Sequence, residues 1–187
     1  MFVVRENAMR HKMGLFLAAV LIVFAVGARA NFSGSEHTAF DQLKTLVGEW
    51  EGTSHEGPVK ITYTLVSGAS ALMERMQRGS EPEMITMYSA DGDHILVTHY
   101  CSAGNQPQMK SEVIMMGKPQ KYSFSLVRVS GLKTEDEGHM IGLVLTILDS
   151  DHLTQEWTYK EKGKTGTDVF QYKRKPEKPA AVVPAKY

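Results

Sequence analysis

The 187-residue chain has one cysteine, Cys101, so it has no internal disulfide and its core rests on packing alone. It also has no excess charge of either sign: 21 basic residues face 21 acidic ones. That balance removes the electrostatic reason to expect a nucleic-acid partner. No phosphate loop, dinucleotide fingerprint, Gly-x-Ser-x-Gly elbow or His-Glu-x-x-His helix occurs, so no motif points to the chemistries those patterns carry. Long apolar runs are nearly missing too. The one candidate, Leu15–Val26, is about a dozen residues and falls short of the roughly 20 that a membrane-spanning helix needs.

That run instead fits a secretory leader. Arg5, Arg10, His11 and Lys12 precede it, and Ala28-Arg29-Ala30 follows as a small-x-small cleavage site. Residues 1–30 are therefore expected to be removed, leaving 157 residues with 17 basic and 20 acidic side chains. The expected location is the periplasm or the medium, with no stable membrane insertion after cleavage. A chain of this length buries enough surface for one domain without staples. The Lys/Pro/Ala-rich end, 175–187, reads as a disordered tail.

The domain is expected over 37–174. Phe40, Leu43, Leu46 and Val47 recur at helical spacing, and Thr38 is placed to cap, so one short helix is expected over His37–Val47. From Trp50 onward the rhythm has period two. Val59, Ile61, Tyr63 and Leu65 alternate with polar residues, and Asp91-Gly92 joins Met84–Ser89 to His94–Cys101 as a hairpin. Ser70–Arg78 contains good helix formers but alternates, and is assigned as a strand. Gln108–Met115, Lys121–Val129, His139–Leu148, Leu153–Glu161 and Thr167–Arg174 complete ten strands. Ten short-linked strands form an antiparallel meander that closes or curls to remove its edges. The expected fold is all-β, an up-and-down barrel of about ten strands with one short N-terminal helix. A two-sheet sandwich is the alternative.

Leu46-Val47-Gly48-Glu49-Trp50-Glu51-Gly52, a helix end running into Gly-x-Trp on the first strand, resembles the calycin superfamily of lipocalins, fatty-acid-binding proteins and haem-binding nitrobindins. With the ten strands and the segment Thr98–Met109, the chain is similar to a bacterial group of exported lipocalin-like domains. The resemblance covers about 40–174 and implies a barrel whose tryptophan closes the base. It implies fold more than activity. The axial histidine of the nitrobindins has no assigned counterpart in this sequence, and no cofactor is carried over.

Candidate site residues follow from alternation. Ile95, Val97, His99 and Cys101 form the more apolar face of their strand and are placed inward. Three readings of His99 and Cys101 stand open. As a base and thiolate they would serve a hydrolase or thiol enzyme, although residues two apart on a strand are about 6.6 Å apart at Cα. As metal ligands they would take His139 as a third, with zinc or, given the methionines, Cu(I) as the ion. As core residues they would be a hydrogen-bonded imidazole and a small hydrophobe. The favoured function is binding of a small, largely apolar molecule. It would be buried against Trp157, Tyr63, Phe124, Met87 and Leu143, and oriented by His99, Cys101, Asn105 and Gln106. An enzyme or a metal- or haem-binding barrel is the alternative.

Overall fold

The computed structural model describes residues 38–114 and 117–176. The expected leader, and the tail beyond residue 176, lie outside the described residues. The first element of the described residues is α1, Ala39–Lys44. Thr38 Oγ1 accepts from the Asp41 N–H, and the Asp41 carboxylate accepts from the Thr38 N–H, which closes a capping box. The helix is shorter than His37–Val47. The N–H groups of Leu46 and Val47 turn back three residues, to Leu43 and Lys44, and wind the chain out of the α-helix.

Ten strands follow: β1 (Gly48–Ser54), β2 (Gly57–Val66), β3 (Ala71–Arg78), β4 (Met84–Asp91), β5 (His94–Tyr100), β6 (Gln106–Ser111), β7 (Gln120–Ser130), β8 (His139–Ile147), β9 (His152–Glu161) and β10 (Lys164–Arg174). Each pairs antiparallel with its neighbour in sequence, and β10 returns to β1 to close the barrel. The all-β barrel is therefore as expected, and the sandwich is not formed. Ala71–Arg78 is a strand, since Leu72, Glu74 and Met76 must face inward while Met73 and Arg75 face out. β6 begins two residues earlier than expected. Pro107 is tolerated there because the β5 ladder reaches only to Gln108, so no β5 residue pairs with it.

The N-terminal helix closes one end of the barrel, the base. Trp50 is buried on β1 and donates its indole N–H to Leu46 O at 2.8 Å. The Arg174 guanidinium, at the end of β10, stacks 4.1 Å over the Trp50 ring. It donates to the carbonyls of Thr45, Val47 and Ser150, each at 2.7 Å. Tyr122 donates to Ala39 O at 2.9 Å from β7. Gly52 has a close-approach role here, because a Cβ would collide with Gln171 O and the Tyr172 ring. Phe40, Leu43 and Leu46 complete an apolar plug. No helix among the described residues is long and apolar enough to cross a membrane.

Candidate binding site

Above the base the barrel is filled by a hydrogen-bonded belt. Glu74 on β3 is fully buried. Its Oε2 accepts from Tyr88 OH at 2.8 Å and from Gln155 Nε2 at 2.7 Å. Gln155 Nε2 also reaches Tyr63 OH at 2.9 Å, and Gln155 Oε1 accepts from the Trp157 indole at 3.1 Å. Burial pushes the Glu74 carboxyl above its ordinary value, while the hydrogen bonds of Tyr63, Tyr88 and Gln155 oppose the shift. The Tyr63 and Tyr88 hydroxyls are raised well above theirs, first by burial and then by the neighbouring carboxyl. The belt divides the interior. Tyr63, Phe124 and Leu143 belong to the packed core and are not among the residues that line the cavity beyond the belt, where they were expected as ligand walls.

Beyond the belt, at the end away from α1, lies a small cavity of about 80 Å³. Met76, Met84, Met140, Trp157 and Phe170 form its apolar walls, and His99 and Cys101 its chemical ones. The strand register explains the arrangement. Glu74, Thr86 and His99 are cross-strand partners in one row, and Met76 and Met84 are partners in the next row towards the mouth. Cys101 lies two residues beyond His99 on the same face and also lines the cavity. His99 is 2% exposed. Its Nδ1 bonds Thr86 Oγ1 at 2.9 Å, and its ring rests 4.7 Å from that of Trp157. That leaves Nε2, which is buried and has no hydrogen-bond partner. Burial lowers the imidazole to about 4, so the ring is neutral at neutral pH. At the mouth, Arg78 pairs with Glu56 and Glu81, and Asp168 sits 3.5 Å from His55. A larger groove of about 770 Å³ opens beside the base, where Lys118, Pro119, Leu148 and Asp149 line it, but no unpartnered buried group points into it.

The remaining expected residues are dispersed. Met87 faces outward between Met73 and Thr98, because the register puts Met84, Thr86 and Tyr88 inside. His139 does not join His99 and Cys101. The register slips between Met140 and Gly142, so Ile141 is the extra residue of a bulge and Met140 takes the cavity side. His139 Nδ1 instead bonds Glu137 O at 2.8 Å. Asn105 is buried, but it serves the turn. Its Nδ2 donates to Gly138 O at 2.9 Å, which ties the β5–β6 turn to the β7–β8 connection. Its main-chain carbonyl accepts from Cys101 N at 3.1 Å, while its Oδ1 has no hydrogen-bond partner. Gln106 spends its amide on Gly104 O and accepts from Ser130 Oγ. Neither lines the cavity. Among the described residues, no hydrogen bond joins the His99 ring to the Cys101 thiol. No three His, Cys, Asp or Glu side chains among them gather around a common point.

Sequence reasoning missed Thr86, Gln155, Met76, Met84 and Met140. Alternation on β3 and β9 brackets Glu74 and Gln155 with inward apolar neighbours, which is the signal for the belt. Met140 had no such signal, since a bulge does not show in the alternation.

No protein-family model and no curated protein sequence matches the chain. Among solved structures it is similar to Rv2717c from M. tuberculosis, with a TM-score of 0.59 at 11% identity. The match covers 73% of this chain and 97% of the other. At that identity the likeness concerns the barrel fold.

Proposed function

We propose that the protein is a binding barrel whose ligand is taken at the end away from α1, in the cavity beneath His99. The observation that carries this reading is His99 Nε2, a buried polar atom without a partner on the wall of a space lined by methionines and aromatic rings as well as by Arg78, Ser102 and Asp168. A buried polar group left unsatisfied costs about 1–3 kcal/mol, and a bound ligand would recover that cost. Size narrows the ligand. About 80 Å³ exceeds what one water requires, yet it is well below the roughly 300 Å³ at which drug-sized pockets begin. The ligand, or the part of it that enters, is therefore small, and a lipocalin-like cargo filling the barrel does not fit. The leader-like residues 1–30 support a reading in which the protein acts outside the cytoplasm, and the Gly-x-Trp base supports a calycin-type barrel.

Xenon tests access to the cavity directly, since apolar cavities take it up. With methyl-labelled methionine in the full chain, xenon pressure is expected to shift the Met76, Met84 and Met140 methyl signals. Met73 and Met87, on the outer face, should stay in place. Unmoved cavity methyls would mean a closed interior and would end the binding reading. The mass of protein recovered from the periplasm checks the leader: loss of residues 1–30 is expected, and a full-length chain would overturn export.

A further inference from the structure

We infer that the cavity is a site for one soft monovalent metal ion, Cu(I), held by His99 Nε2, the Cys101 sulfur and the thioethers of Met76 and Met84. The inference rests on the cavity being a ligand site and names the ligand.

Four side chains with potential donors, one nitrogen and three sulfurs, line that cavity. Met76 and Met84 are direct cross-strand partners, so their Cβ atoms sit about 5 Å apart on the inner face. His99 comes from the adjoining strand β5 and Cys101 from the residue just after its end, and all four side chains line one small space. Thr86 engages His99 Nδ1, the usual arrangement by which a neighbour fixes a ligating imidazole, and Nε2 is the nitrogen left over. Thiolate, thioether and imidazole are the set that selects Cu(I), because sulfur is soft and tolerates low coordination. Zinc would draw on His, Cys, Asp or Glu, and among the described residues no three of these gather. The volume holds an ion stripped of water. Trp157 flanks His99, while Met140 and Phe170 help line the same space.

Charge balance also favours a monovalent ion. The Cys101 thiol releases its proton to solvent as Cu(I) binds, so one positive charge replaces another and the net charge of the site does not change. No oxidant or reductant takes part. At the mouth the Arg78 charge is already met by Glu56 and Glu81, and the Asp168 carboxylate also faces the space.

The test titrates the reduced full chain with Cu(I) under argon, in competition with bathocuproine disulfonate, and uses Ag(I) as a redox-inert probe for NMR. One ion per chain is expected, with X-ray absorption showing sulfur and nitrogen neighbours and with the Met76 and Met84 methyls shifted. Cys101→Ser and Met84→Leu should each weaken binding by about tenfold or more, and Met87→Leu should leave it unchanged. Should Cys101→Ser fold poorly, Met76→Leu, close in volume to the original, carries the same test. No binding, equal affinity for Zn(II), or affinity indifferent to Cys101→Ser and Met84→Leu would overturn the metal site. If xenon still moves the cavity methyls while Ag(I) does not, the metal inference fails and the binding barrel stands. If neither probe enters, both fail.

Discussion

The two ends of the barrel are built on opposite terms. At the base, Trp50, Arg174 and Tyr122 satisfy their polar atoms on backbone carbonyls, and Phe40, Leu43 and Leu46 fill the space. At the other end, His99 keeps an unpartnered nitrogen and the walls stand apart. The belt around Glu74 lies between them. Glu74 Oε1 in the belt and Asn105 Oδ1 also lack partners, so what sets His99 apart is its place on the cavity wall. The comparison also separates two kinds of tryptophan. Trp50 is tied to the main chain of the helix end, whereas Trp157 is tied to a side chain, Gln155, and leans on the imidazole.

Breaking the base should cost most. Trp50→Ala removes the plug and leaves Arg174 without its stacking surface, and a loss of about 3–5 kcal/mol is expected in urea unfolding. A loss under 1 kcal/mol would mean that the base is not the stability centre. Next in size is an acid effect at the other end. Folding holds the His99 imidazole at about 4, against 6.5 in the unfolded chain. The unfolded state therefore binds the extra proton first, and stability falls as pH drops from 6.5 towards 4, by about 3 kcal/mol in all. His99→Phe should flatten that slope in the urea midpoint measured against pH; an unchanged slope would show that another group sets it.

The belt should respond in the opposite sense. The Glu74 carboxyl is raised in the folded state, so its contribution is full below the ordinary value of 4.5 and is lost as pH rises through the folded value. Glu74→Gln, which keeps the shape, should remove this loss at higher pH, and the comparison of the two midpoint profiles checks it. Smallest of all, Met84→Leu at the cavity should change stability by less than about 1.5 kcal/mol. A larger loss would mean that Met84 belongs to the packed core and not to a binding wall.

Much of the fold was legible because alternation carries it. Thr38 announces the helix start, and Ile95, Val97 and His99 announce the inner face of β5. Met87 misled because its strand offers two nearly equal faces, Met84-Thr86-Tyr88 and Ile85-Met87-Ser89. Only pairing with Glu74 and His99 decides between them. The cavity was half legible: His99, Cys101 and Trp157 could be placed inward from their own strands. That Asn105 would turn away to hold Gly138 depends on contacts 33 residues apart, which periodicity does not encode. Met140 depends on a bulge, and the filled centre depends on Tyr63, Tyr88 and Gln155, from three different strands, meeting at Glu74.

Barrel closure has a consequence for the order of events in folding. All the hairpin pairings join consecutive strands, but β1 meets β10 only through pairs such as Trp50↔Arg174, across most of the domain. The hairpins form at low loop-closure cost, and the last seam bears the full entropy of a long loop. Until Arg174 has been synthesised, two strand edges stay unpaired and open to other chains. A chain cut after β9 is thus a sheet with two sticky margins, so the eleven-residue strand β10 decides between a closed ring and an open, aggregation-prone ribbon.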